Sequence, residues 1–445
     1  MARKRVKQSK KLDRISDLPN NVIDIILSRV TLPIAVRTSA LSKKWRLHWT
    51  RVENLVFCYK FNDYFLGSFL GQEEDDEIDD EVKASTYVGI VGNILLSHSG
   101  PIRKFFLRVP YFCGDISDAI NLWILAVSRH GVQDLTLDYH DCSYDCKVPS
   151  YVFQCIGLKR LSLQNVKSPP HNFEGLTSLL SLDLECNVIS GDLLTHIFLS
   201  CPLLERLSLL YSNNKCSFAI DASKLKVLSL TCYQHSDFIL KNTPNVSTVS
   251  LKFNESHRNK CPNLLDFAGA VPKLEKLTLF SAVLEEWGVQ DVPKLLPAPL
   301  ENHLCLTVKY WNMYSLAQVR SMLCLINSSP TLQTLDIFSR SGYSPSQAHV
   351  TSDYLKSLLR EAENLWSLKT VKVAGLNGRE PELLFIELIL SCCPMLEKLY
   401  LTNHGITVDA EIKMMTDIMR FRRASAQAEI IYSKFRNHVV SYSYP

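Results

Sequence analysis

Apolar residues recur along most of this chain as a triplet, L-x-x-L-x-L, with Val, Ile or Phe allowed in place of Leu. Well-formed copies are Leu158-Leu161-Leu163, Leu179-Leu182-Leu184, Leu204-Leu207-Leu209, Leu225-Leu228-Leu230, Val246-Val249-Leu251 and Leu274-Leu277-Leu279. Three more follow at Leu332-Leu335-Ile337, Leu368-Val371-Val373 and Leu396-Leu399-Leu401, and looser ones precede at Val52, Ile102 and Val132. The last two apolar positions alternate with period two, so each triplet predicts a short strand with one apolar face. Between them stand Ser162, Asp183, Ser208, Ser229, Ser250, Thr278, Asp336, Lys372 and Tyr400, a polar or amphipathic column that predicts an open, solvated face. Pro202, Pro244, Pro272, Pro330 and Pro394 each lie two residues before a triplet. Proline cannot continue a helix and pushes its predecessor into extended backbone, so these prolines separate a preceding helix from the next strand.

From residue 158 to 274 the triplets start 21, 25, 21, 21 and 28 residues apart, within the roughly 20–29-residue period of leucine-rich repeats. One unit cannot bury its own apolar face, so neighbours stack into a parallel sheet over a continuous core. The fold class expected is α/β: a parallel sheet on the concave side of a solenoid, with helices on the convex side. Spacing is irregular from Leu274 to Leu332 and on to Leu368. There Leu300 to Leu306 keeps only the end of the pattern.

Residues 13–57 behave differently. Pro19 with Asn20 and Asn21 marks a helix start, and Val22, Ile23, Ile26, Leu27 and Val30 form one apolar stripe at helical spacing. Pro33 breaks that helix, a second runs through Val36 and Leu41, and a third through Trp45 and Trp49. Some 45 residues make a meagre core, so the module is completed by a partner or by the repeats behind it.

Composition excludes more than it assigns. Apolar residues make up 46% and charged residues 21% of the 445, an ordinary globular balance. The net charge of +4 conceals a partition. Residues 1–11 hold six bases and no acid, residues 73–81 eight acids and no base, and the rest 43 bases against 37 acids. Nucleic-acid binding by the whole chain is therefore not expected. The basic leader reads as a nuclear-import signal, a solvated tail or a nucleic-acid arm, and the acidic run as a solvated hinge. No secretion signal or membrane-spanning run is read in the sequence. The fourteen cysteines are read as small buried hydrophobes rather than disulfides, and the sequons at Asn245, Asn254 and Asn327 as chance matches. His140, Cys142 and Cys146 lack the fourth ligand a structural zinc site needs. Gly342-Tyr343-Ser344 begins like a nucleophile elbow but lacks its second glycine. With no phosphate-binding loop or zinc-binding helix motif either, neither catalysis nor a cofactor is expected.

Leu18-Pro19, the isoleucine-rich first helix, Val36 to Ser39, Leu41 to Arg46 and Trp49 resemble an F-box, in the variant of the plant F-box/FBD/leucine-rich-repeat family. Val30 to Ile34 stands where that family has Leu-Pro followed by an Arg-Asp pair, with the length preserved. Leu368 to Leu383 and Leu396 to Leu399 resemble the FBD domain, and Phe421 to Ser425 leading to Ile430-Ile431-Tyr432 is similar to its final strand. The organisation implied is a basic tail (1–12), an F-box (13–57), an acidic linker and lead-in to the repeats (58–100), a leucine-rich-repeat solenoid (101–360) and FBD-like repeats (361–445). The resemblance implies a non-catalytic substrate receptor of an SCF ubiquitin ligase in nucleus or cytoplasm. Its F-box would bind a Skp-type adaptor, joined to cullin and a RING subunit, and its repeats a target protein. Leu18, Pro19, Ile23, Ile26, Leu41 and Trp45 are the candidate adaptor contacts by position, each weighed against a place in the module's own core. Phe280, Phe338 and Tyr400 are candidate target contacts. The alternative is a leucine-rich-repeat scaffold or inhibitor without a ligase, which would share the solenoid and differ in residues 13–57.

Overall fold

The computed structural model describes residues 15, 17–69, 79–140, 147–166, 173–186, 190–211, 216–232, 236–253, 262–290, 292–339, 345–360 and 366–433. The basic leader, acidic residues 73–78, Cys142, Cys146, the sequon at Asn254 and Gly342 to Ser344 lie outside the described residues. The chain divides into two compact units, Met1–Cys186 with Ser200–Leu203, and Asn187–Leu199 with Leu204–Pro445.

The first unit opens with α1 (Asn20–Leu27) and α2 (Leu32–Arg37), then 3-10 turns at Thr38–Ala40 and Trp45–Arg51. Pro33 sits in the first turn of α2, where its missing N–H costs nothing and its fixed φ suits the helix. It begins a helix as well as ending one. The expected third helix is a 3-10 turn. Strand β1 (Asn54–Phe57) then pairs in parallel with β2 (Lys104–Arg108), followed in order by β3 (Asp134–Asp138), β4 (Arg160–Val166) and β5 (Ser181–Cys186).

Between β1 and β2 the sequence led us to expect an acidic linker. The structure has two helices there, α3 (Tyr59–Phe69) and α4 (Asp80–Ser97). Aromatic packing holds them: the Phe57 and Phe61 rings meet edge-on at 5.0 Å, and Phe65 and Tyr87 at 5.5 Å. The acidic run ends as a helix start. Asp79 accepts from the Glu81 N–H, and Asp80 and Glu81 occupy the first turn of α4, where the helix dipole favours negative charge. Helix α5 (Ser117–Arg129) fills the next crossover.

In the second unit α6 (Gly191–Ser200) precedes β6 (Arg206–Tyr211). From β6 a sheet runs through β8 (Val227–Cys232), β10 (Thr248–Phe253), β11 (Lys276–Phe280), β12 (Cys305–Trp311), β13 (Thr334–Ser339), β14 (Thr370–Leu376), β15 (Lys398–Asn403) and β16 (Glu429–Ser433), every pair parallel. The FBD-like segment thus continues this sheet. One apolar rung runs Leu207, Leu228, Val249, Leu277, Leu306, Leu335, Val371 and Leu399, all buried. Each such side chain contributes roughly 1.5–3 kcal/mol on burial.

Helices α7 (Leu264–Ala270), α8 (Ser281–Val289), α9 (Leu316–Asn327), α10 (Pro345–Arg360), α11 (Glu380–Cys392) and α12 (Val408–Arg420) form the later crossovers. In the two 21-residue intervals between Leu204 and Val246, no helix stands among the described residues. Instead β7 (Cys216–Asp221) and β9 (Ser236–Lys241) pair in a second, two-stranded sheet, with Phe218 stacked on Phe238 at 6.0 Å. Helices do not cover the whole solenoid.

The irregular stretch resolves into two units of equal length. Strand β12 buries Leu306 and Val308, and three residues earlier, in the place of the lead-in leucine, stands His303 at 0% exposure. Its ring nitrogens lie 2.8 Å from Ser329 Oγ and 3.2 Å from the Cys305 carbonyl oxygen. Burial pushes its pKa down to about 4, with the Cys305 carbonyl acting in the opposite direction. Leu274, His303 and Leu332 are therefore spaced 29 and 29 residues apart.

Candidate partner-docking surfaces

The N-terminal module builds its core from Ile23, Leu27, Ala35, Trp45 and Val52, with Leu18, Val30 and Trp49 packed against it. Helical spacing sets Ile23 and Leu27 on one flank of α1. Ile25 and Ile26 turn to the other flank at 53% and 38% exposure. Leu18 and Pro19 are placed by two tethers: Lys44 Nζ donates to the Leu18 carbonyl, and Trp45 Nε1 donates to the Ile15 carbonyl at 3.1 Å. His48 Nδ1 lies 2.9 Å from Asp24 Oδ1, tying the Trp45–Arg51 turn to α1.

Of the six adaptor candidates, Pro19, Ile26 and Leu41 are exposed and Leu18 is half-buried. Ile23 and Trp45 are corrected here: at 0% and 3% exposure they are core residues with no face to offer a partner. A stripe of apolar residues on a short helix does not reveal which of its edges the core takes. Ile15, Ile25, Ile34 and Leu47, exposed by 50–67%, were not among the candidates. Each was legible only as an apolar residue off the expected stripe.

The open face of the first unit is a hydrogen-bonded network. On β3, Asp138 is 4% exposed and its Oδ1 lies 2.8 Å from His140 Nδ1, with Arg108 at 3.6 Å from its other oxygen. His140 Nε2 reaches Glu185 Oε1 on β5 at 3.2 Å. Burial raises the Glu185 pKa, with His140 pulling it back. Ser162 donates to Asp183 at 3.3 Å, and Asp134 pairs with Lys104 and Arg160.

The second unit differs. Phe280, Phe338 and Tyr400 all lie on its open face, Phe280 and Tyr400 half-buried and Phe338 41% exposed. Lys252 and Lys309 sit on the strands either side of Phe280, their Nζ atoms 5.4 and 5.8 Å from its ring centroid, within cation–π range. Lys372 Nζ stands 5.9 Å from the Tyr400 ring. The Tyr310 ring, 45% exposed, lies 5.8 Å from Phe280.

Tyr310 reaches that position through a bulge. The register slips between Val308 and Trp311, and Tyr310 has φ +59. The same slip occurs in β4 at Asn165, φ +54, and in β14 at Gly375, φ +85. Asparagine and glycine take left-handed backbone readily; tyrosine does not. Sequence reading missed Tyr310 because Lys309-Tyr310-Trp311 looks like an uninterrupted strand, and missed Lys252 and Lys309 because only the strand register brings them to Phe280.

Among the described residues no group of His, Cys, Asp and Glu is arranged to hold a metal ion, and no helix is long and apolar enough to cross a membrane. Most described cysteines are buried without disulfides. Burial pushes the thiols of Cys155, Cys201 and Cys324 up to about 11.

Comparison with known proteins fits this layout. A family model for the F-box domain matches residues 15–57. One described as the LRR repeats of FBD-associated F-box protein At5g56370 matches residues 120–292. The F-box/FBD/LRR-repeat protein At1g13570 of Arabidopsis thaliana is 30% identical over 431 residues, covering 94% of this chain and 98% of its own. From the same plant, F-box/LRR-repeat protein 13 is 24% identical over 477 residues, or 96% of this chain and 98% of its own. F-box/FBD/LRR-repeat protein At1g78750 is 23% identical with the same coverage.

Proposed function

The chain belongs to the F-box/FBD/LRR-repeat protein family, and on that premise we propose that it is the substrate-recognition subunit of an SCF-type E3 ubiquitin ligase. The N-terminal module docks on a Skp-type adaptor, and through it on cullin and a RING subunit. The repeats hold a target protein. No side chain of this chain is asked to do chemistry: holding the target beside a charged ubiquitin carrier raises the local concentration of the reacting groups. Nucleus and cytoplasm are the compartments in which we place this activity.

The observation that carries this reading is the surplus of exposed apolar side chains on a module whose core lies elsewhere. Pro19, Ile25, Ile26, Ile34 and Leu41 face solvent while Ile23, Leu27 and Trp45 pack inward. Exposed apolar surface of this kind marks protein contacts, and helix-borne apolar anchors are a recurring docking mode. Ile23 and Trp45 support the docking surface from within.

Co-expression with a plant Skp-type adaptor tests the reading. The wild-type chain should co-purify with it, and Pro19→Ser combined with Leu41→Glu should weaken capture at least about tenfold while leaving the melting temperature unchanged. A folded wild-type chain that captures no adaptor would overturn the ligase reading and leave the scaffold or inhibitor alternative.

A further inference from the structure

We propose that the open face of β10 to β15 in the second unit is the target-reading surface, and that it takes an extended acidic segment whose side chains facing the sheet alternate between carboxylates and apolar groups. This deepens the receptor reading and rests on it, since it names what the repeats hold.

Three observations converge on this face. First, its cations alternate with rings: Lys252, Phe280 and Lys309 occupy three successive strands in one row, and Lys372 stands over Tyr400 nearby. Lys309 and Lys372 are exposed and form no ion pair with a described residue. Second, charge on the two rows that carry the patch is one-sided from β10 to β15, with Lys252, Lys309 and Lys372 against Asp336. Third, Tyr310 occupies a left-handed position that the equivalent bulges give to Asn165 and Gly375. Backbone strain maintained in a folded protein points to a use for the side chain it displays, and this ring lies beside Phe280.

The spacing suits a peptide. Lys252 and Lys309 are two strands apart, about 10 Å at ordinary sheet spacing, while two carboxylates flanking an apolar residue on one side of an extended chain are about 13 Å apart. Flexible lysine stems close that difference, and the apolar side chain on the same side of the peptide, between the two carboxylates, meets Phe280 and Tyr310. A nucleic-acid strand fits less well. Its closely spaced phosphates call for a run of cations, whereas Asp336 interrupts this one between Thr307 and Lys372.

The test uses the full chain and three fluorescein-labelled probes: a peptide of about ten residues in which glutamate and leucine alternate at every second position with serine between them, its lysine–leucine counterpart, and a thymidine oligonucleotide of similar charge. The acidic peptide should bind tightest, and more weakly as salt rises. Lys252→Glu with Lys309→Glu should weaken it about tenfold or more, and Asp336→Lys should tighten it. Tyr310→Asn should weaken it several-fold without lowering the melting temperature, a separation that a merely structural role would not give. Equal affinity for the lysine–leucine peptide, tighter binding of the oligonucleotide, or indifference to the lysine reversals would overturn the proposal. Adaptor capture by the same variants reports separately on the receptor reading, because Lys252 and Lys309 lie outside the N-terminal module. Loss of peptide binding with capture intact fits the proposal, whereas a wild-type chain that binds the peptide but captures no adaptor refutes the receptor reading alone.

Discussion

Strands of one design carry opposite kinds of surface in the two units. On the open face of the first, Asp134, Asp138, Asp183 and Glu185 each meet a partner from within the protein: Lys104 and Arg160, Arg108 and His140, Ser162, and His140 again. On the second, Lys309 and Lys372 lean on aromatic rings and meet no carboxylate among the described residues. Both faces project from the same kind of buried rungs. A solenoid can therefore spend one stretch of its surface on tying strands together and another on presenting charge.

Removing a carboxylate from the first face should have the largest effect. Asp138→Ala strips the hub shared by Arg108 and His140 and should cost roughly 3–5 kcal/mol by chemical denaturation, as removal of one partner from a buried charged network does. If the variant loses under about 1 kcal/mol, the network is solvent-screened and the contrast between the faces fails.

Acidification should separate two sites next, His303 in the second unit and Glu185 in the first, whose pKa values are displaced in opposite directions relative to stability. His303 in the second unit has its folded pKa lowered to about 4, so the unfolded chain binds the extra proton between 6.5 and 4. Stability from this site is complete above pH 6.5 and is lost as pH falls through that window, by about 3 kcal/mol in all. Glu185 in the first unit is raised, chiefly by burial. Its folded form binds the proton more readily, so its contribution is greatest at low pH and declines as pH rises from 4.5 through the folded value. Denaturation midpoints at several pH values, for His303→Gln and Glu185→Gln against wild type, should show the two slopes removed in opposite senses.

Exchanging the bulge residues gives a smaller effect of either sign. Asn165→Tyr should cost about 2 kcal/mol, losing the amide donation to the Tyr139 carbonyl as well as the favourable backbone. Tyr310→Asn should gain about 1 kcal/mol. Equal losses from both would mean that the Tyr310 ring is structural. The smallest effect belongs to Lys309→Glu, which should change stability by no more than about 0.5 kcal/mol. A larger loss would show that the cation is part of the fold.

Much of this architecture was readable because strands announce themselves through leucine at three fixed offsets. The units from Leu158 to Leu279 and from Leu332 to Leu401 form strands where the pattern stands. Strand β12 was only partly legible, keeping the end of the pattern, because His303 replaces the lead-in leucine, and a buried imidazole does that only with Ser329 and the Cys305 carbonyl in place, neither of which the sequence displays as a partner. Helices α3 and α4 escaped because their core side chains, Phe61, Phe65, Tyr87, Val91 and Leu95, do not form the leucine triplet, and because acids at 79–81 read equally as a hinge or a helix cap. In the N-terminal module, spacing identified the apolar residues but not their direction. Ile23 and Ile26 are three residues apart, and one faces the core while the other faces solvent.

The alternation within each strand has a consequence for how such a protein changes over generations. On the target-reading face proposed above, a substitution at Lys252, Phe280, Lys309 or Lys372 would alter what the surface recognises while Leu251, Leu279, Val308 and Val373 keep their packing. Recognition can drift residue by residue at almost no expense in folding, so duplicated copies of one gene need not lose their shape before acquiring different targets.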